Sequence, residues 1–287
     1  MRHTGIACIA AIVVALAALQ GTVEAPSPSA PLLETLPPEA FVAEGPPAPA
    51  EVAVTDGSRR YRRRFRNVYP GPIPTPADWR PPEGPVRIAL QAGHWKADEA
   101  PDELRGLRDN GTRARGKAEW EVNLEIARRA AVMLEARGYL VDVLPAVVPP
   151  SYRAHLFISI HADGSHDPHA TGYRVAAPRR DATGRASEIA GLLERSYGQA
   201  TGTRKLPDVT RRMTGYYAFN FRRYVHALHP MTIGVILETG FLTSASDWNV
   251  IVDDPDRAAR GIVDAVTAFD VTPPPQGIAV VAERRTD

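Results

Sequence analysis

Cysteine is almost missing from this chain. Among 287 residues only Cys8 carries a thiol, which excludes an internal disulfide and any multi-cysteine metal site. Lysine is nearly as scarce, occurring only at Lys96, Lys117 and Lys205, with arginine supplying the other basic groups. Neither sign of charge dominates. The formal net charge is +1, so charge balance gives no ground for a nucleic-acid partner. Long apolar runs are also absent, apart from residues 6–19 close behind Arg2 and His3. That run is shorter than the ~20 residues of a comfortable membrane span and fits the core of a signal peptide, with a small-residue exit at Val23-Glu24-Ala25. Residues 1–25 are therefore expected to direct export, with an uncleaved N-terminal anchor as the alternative. Cys8 precedes the apolar run instead of following it, so it does not read as a lipid-anchor site.

Proline, by contrast, is abundant, and much of it falls between residues 26 and 85 (PSPSAP, LPPEA, GPPAPA, YPGPIPTP, RPPEGP). Such a stretch reads as an extended linker without a core of its own. Within it, RRYRRRFR at 59–66 is either a solvated charge run, the simpler reading, or a contact for an anionic polymer or a membrane surface. Residues 271–287 read as a tail. The folded domain is expected at 86–270.

There the pattern alternates. Short apolar strands are expected near 86–90, 139–144, 156–160, 172–176 and 232–237. Helices are expected at 119–137, where Val122, Ile126, Ala130, Met133 and Leu134 share a face, at 186–200, and at 255–269. Repeated strand–helix–strand order argues an α/β fold with much parallel pairing.

Polar groups gather where these strands end. His94, His161 and Glu238 each stand at the carboxyl end of an expected strand, and Glu119 opens the first helix. In open α/β sheets ligands collect beyond those ends. Two imidazoles with one carboxylate make the ligand set of a hydrolytic zinc site, and a second carboxylate beside it takes a proton from water. A single histidine at a strand end is more often structural. Several such groups on one edge, with a glutamate ending an apolar strand, weigh against that reading.

QAGHW (91–95), EWEVNLEIA (119–127), FISIHADG (157–164) and VILETGFLT (235–243) stand in the order of, and with roughly the spacing found in, the zinc-dependent N-acetylmuramoyl-L-alanine amidases of type 3, a family this chain resembles from about Val86 to Asp270. The resemblance implies a three-layer α/β/α fold with a twisted mixed, largely parallel sheet. It implies Zn2+ held by His94, Glu119 and His161, with Glu238 as catalytic acid/base. Glu121 fits the ligand register less well than Glu119. The implied substrate is peptidoglycan, cut between the muramoyl lactyl group and L-alanine by a monomeric enzyme in the periplasm, the wall or the medium. A zinc peptidase acting within the stem peptide and an inactive wall-binding protein are the alternatives. Departures from the family pattern lie at the proline-bearing segment 145–150, at His155 and at 211–232. The last of these makes Tyr216, Tyr217, Asn220, Arg222, Arg223, His226 and His229 candidates for substrate contact. His166 and His169, in a Gly/Asp/Pro loop, are expected at the surface.

Overall fold

The computed structural model describes residues 72–271 except 109, 110 and 168. The export segment, most of the linker with its basic run, and the tail from 272 lie outside the described residues.

Seven strands form among the described residues: β1 (Arg87–Ala92), β2 (Arg113–Ala114), β3 (Lys117–Ala118), β4 (Leu140–Leu144), β5 (Leu156–Asp163), β6 (Arg174–Ala176) and β7 (Ile233–Phe241). Five of them build one sheet in the order β4-β1-β5-β7-β6, while β2 and β3 make a small separate ribbon. Within the sheet every pairing is parallel except β6 against β7. Parallel neighbours require crossovers. α1 (Glu119–Glu135) lies between β1 and β4, and α2 (Ala186–Thr201) and α3 (Arg211–Thr214) lie between β6 and β7, with long loops making the other connections; α4 (Ala245–Ile251) and α5 (Pro255–Ala268) follow β7.

The two-residue period of a strand divides the side chains between two cores. Leu156, Ile158, Ile160 and Ala162 of β5 join Ile88, Leu90, Val235 and Leu237 under α1, α2 and α5. Phe157 and Ala89 face the other way, into a cluster with Leu104, Val148, Tyr217 and Leu228. The first face is therefore roofed by long amphipathic helices. The second is covered by single helical turns, such as Asp102–Leu107 and Tyr217–Phe219, and by the loops between them. The fold is α/β in three layers, as expected, with one layer much less regular than the other.

The helix ends have local causes. Glu121 bonds back to the Ala118 amide at 2.7 Å, so the first turn of α1 is capped from within, as in a capping box. The chain leaves that helix through Gly138 at φ 88°, a left-handed geometry that glycine adopts without strain.

One boundary moves. The linker was expected to run to residue 85, yet Trp79 is 5% exposed and packs on His229 with ring centroids 5.1 Å apart. A side chain that large, once buried, ties its segment to the domain, so the folded unit begins before Trp79.

Candidate metal centre

The parallel pairing of β1, β5 and β7 brings their carboxyl ends to one edge. Ala92 pairs with Ile160 and His161 with Glu238. His94 lies two residues past the end of β1, in a left-handed conformation (φ 63°) that reverses the chain there. Glu119, the first residue of α1, is 4% exposed and turns its carboxylate toward the same edge.

Glu119 Oε1 stands 3.4 Å from His94 Nε2 and 3.1 Å from His161 Nδ1. One ligand atom from each of the three residues lies within 4.8 Å of the others, so the group could hold a metal ion. The carboxylate is held by the backbone as well. Its Oε2 accepts from the Thr112 amide at 2.9 Å, and its Oε1 from the Ala162 amide at 3.2 Å and Asn123 Nδ2 at 3.3 Å. Burial pushes its pKa up, but the His161 hydrogen bond, the His94 and His161 charges and the Thr112 amide outweigh this and hold it below the usual carboxylate range. Close approach is built in at Gly93, where an added Cβ would lie 2.3 Å from Cε1 of His161. No other residue fits there.

The other nitrogen of His161 is set by a polar chain on the second face. Gln91 donates from Nε2 to the Ala146 carbonyl at 2.8 Å, an acceptor-only group, which orients its amide. Its Oε1 therefore receives protons from Ser159 Oγ (2.7 Å) and from the Tyr216 hydroxyl (2.9 Å). Since Tyr216 donates to Gln91, its oxygen is left to accept from His161 Nε2 at 3.3 Å. A ring proton drawn to Nε2 by Tyr216 would free Nδ1 for a metal ion; without one, Nδ1 is the group that hydrogen-bonds to the Glu119 carboxylate.

Glu238 sits beside this cluster, half-buried. Its pKa is raised well above the ordinary value, first by burial and then by the Asp163 and Glu119 charges, with Arg174 partly offsetting them. Arg174 is its ladder partner on β6 and donates to Asp163 at 2.7 Å. The strand end is pinned by Asp247, whose Oδ2 accepts from the Phe241 and Gly172 amides at 2.8 and 2.9 Å.

Among the expected residues, His94, Glu119, His161 and Glu238 meet at this edge. Glu121 turns away to cap its helix. Asn220 and Arg222 line a cavity further along the second face, and Arg223 lies over the Tyr224 ring. Two substrate candidates are occupied otherwise. His226 is paired with Glu103 at 2.6 Å, and His229 is fully buried beneath Trp79, out of reach of any ligand. His166 and His169 are exposed, as expected. Sequence reasoning missed the Gln91–Tyr216 connection and the Asp247 anchor. Gln91 opened a quoted motif, but its partner is 125 residues away.

These features define an α/β domain carrying a two-histidine, one-carboxylate cluster at the carboxyl ends of a parallel sheet, with a further carboxylate beside it. Residues 146–268, less than half of the chain, match the family model described as N-acetylmuramoyl-L-alanine amidase. The matched span contains His161 and Glu238, whereas His94 and Glu119 lie before it and join the cluster through the sheet. The chain is 26% identical over 182 residues to the N-acetylmuramoyl-L-alanine amidase LytC of Bacillus subtilis, covering 58% of this chain and 34% of LytC. It thus spans about a third of that relative's length. Among solved structures it resembles the amidase AmiC2 of Nostoc punctiforme (18% identity, TM-score 0.48, 64% of this chain and 96% of that one). An amidase from Clostridium difficile 630 is comparable (20%, 0.47, 64% and 95%).

Proposed function

We propose that this chain is an exported, zinc-dependent peptidoglycan amidase that hydrolyses the amide between the muramoyl lactyl group and L-alanine. The observation that carries the reading is the His94–Glu119–His161 cluster with Glu238 at its side. Donor atoms around a tetrahedral zinc with bonds of ~2.0–2.1 Å stand about 3.3 Å apart, and the two contacts to Glu119 Oε1 measure 3.4 and 3.1 Å. Nitrogen and carboxylate donors of this kind suit zinc. His94, Glu119 and His161 would hold it.

Bound there, zinc supplies Lewis acidity for the scissile carbonyl and for the attacking water. The remaining steps belong to the protein. Glu238 accepts the water's proton and returns it to the departing alanine amine, a role suited to a carboxyl whose proton affinity is raised. A cation nearby lowers that affinity toward the working pH. Tyr216 draws the His161 ring proton to Nε2, which frees Nδ1 for the metal, and Glu119 is fixed by two backbone amides. Residues 1–25 would take the chain out of the cytoplasm to its substrate, while 59–66 could only assist from the linker.

The test is digestion of purified peptidoglycan with zinc content measured on the same sample. We expect muropeptides with a free L-alanine amine, loss of activity on chelation and its return with zinc. A new amine within the stem peptide would make the enzyme a peptidase. Undiminished hydrolysis by metal-free protein would refute the metal assignment.

A further inference from the structure

The segment that supplies Tyr216 leads from the metal centre to a second polar site. Tyr216 touches His161, while Phe219 crowds Gly234, with Cε1 of its ring 2.9 Å from where a Cβ would stand. Gly234 is four positions before Glu238 on β7, a span of ~13 Å at ~3.3 Å per residue.

Past Phe219 a cavity of ≈ 250 Å³ opens between residues 178–182, which follow β6, and the 214–222 segment. Arg179, Arg180 and Arg222 line it, all three exposed. None forms an ion pair among the described residues, and Arg222 rests over the Phe221 ring, 5.6 Å from its centroid. The cavity's one carboxylate, Asp181, is committed elsewhere. Its Oδ1 accepts from the Thr183 amide and hydroxyl at 2.9 and 2.6 Å, and its Oδ2 accepts from the Ala186 amide at 2.8 Å at the start of α2.

The walls are preformed. The Arg179 amide bonds to the Thr214 carbonyl at 2.9 Å, and Asn220 Nδ2 bonds to the Gly215 and Tyr216 carbonyls at 2.9 and 3.0 Å. Three guanidinium groups facing one engaged carboxylate leave a surplus of forked donors, the arrangement that recognises carboxylates.

We propose that this cavity binds a carboxylate of the acidic stem peptide whose lactyl amide is cut beside Glu238, an inference that rests on the amidase reading. An extended peptide covers ~13 Å in four residues, the strand span from Glu238 to Gly234, and the cavity lies beyond Phe219, so the carboxylate it takes is one near the far end of the stem. The site selects acidic over amidated stems.

The experiment measures binding without cleavage, by titrating the full chain calorimetrically with a synthetic acidic stem tetrapeptide and with its fully amidated form. We expect the acidic form to bind about tenfold more tightly, the scale of one charge-assisted hydrogen bond in a wet site. The double variant Arg180→Gln/Arg222→Gln should bring the ratio near one. These side chains are exposed, so folding is spared. Arg260→Gln, an exposed change on α5, should leave the ratio as it was. Equal binding of both peptides by the unaltered chain, selectivity that survives the double variant, or preference for a glycerol-phosphate oligomer would each overturn the assignment. Retained selectivity in a chain that releases no L-alanine amine from peptidoglycan would support the pocket and remove the amidase reading.

Discussion

Removing one hydroxyl group tests whether the second face of the sheet tunes the metal centre. In Tyr216→Phe the ring still packs against Tyr217 and Phe219, whose centroids are 4.9 and 5.8 Å away. The oxygen that accepts from His161 Nε2 and donates to Gln91 is gone. Gln91 keeps its Ser159 donor, so the loss falls mainly on His161, whose Nε2–H is left without an acceptor. An unsatisfied buried donor costs about 1–3 kcal/mol, and denaturant titration of the metal-free variant should show a loss of that order. Without its acceptor, Nε2 competes less well for the ring proton, so Nδ1 is harder to free for a metal ion. Loss of such an outer contact typically weakens metal affinity ~10–100-fold. Competition with a chromophoric chelator measures this directly. Unchanged zinc affinity alongside the stability loss would refute the tautomer argument and leave Tyr216 as packing alone.

Three further outcomes follow from the same geometry. Glu238→Gln should keep zinc at full stoichiometry while turnover falls at least ~100-fold, the scale of a lost general base; near-native turnover with zinc bound would remove Glu238 from the mechanism. Glu119→Ala should abolish zinc binding, whereas Glu121→Ala should keep the metal and lose about 1 kcal/mol of capping, read by metal analysis and by unfolding; the reverse pattern would move the ligand by one helix step. Burial, aided by the Arg153 charge and opposed by Asp78, depresses the His229 pKa to about 4. The unfolded chain, near 6.5, therefore binds the proton first, so stability is full above pH ~6.5 and falls by an amount on the order of 3 kcal/mol as pH drops through 4. Trp79→Ala, which uncovers His229, should flatten that slope in acid titrations of stability; an unchanged slope would assign it to other groups.

The four groups at the sheet edge were legible because each ends or begins a regular element. Apolar runs that stop at His161 and Glu238 announce strand ends, and a 3.6-residue period starting at Glu119 announces a helix. The long helices were placed within two residues of where they lie, for instance 119–137 against Glu119–Glu135. The covering of the second face could not be read in this way. Its apolar residues, such as Leu104, Val148 and Leu228, are scattered through loops without periodicity. The same reason hides Tyr216, which is fixed by where its loop is laid down. His229 misled because a histidine amid aromatics and arginines resembles a binding group, and only the docking of Trp79 shows it to be interior.

The spread of the site along the chain bears on how it comes into being. His94, His161 and Glu238 belong to three neighbouring parallel strands, with β5 between β1 and β7. Parallel pairing closes long loops before any contact rewards it, which makes it slow. A nascent chain that has reached Asp163 already holds all three nitrogen and carboxylate donors of the cluster. It lacks β7, and β5 would then present a bare edge. Arrival of the last strand covers that edge and delivers Glu238 in one event. On the proposed mechanism, proton transfer would become available only when the sheet is complete, so a half-folded intermediate could capture metal yet stay catalytically silent.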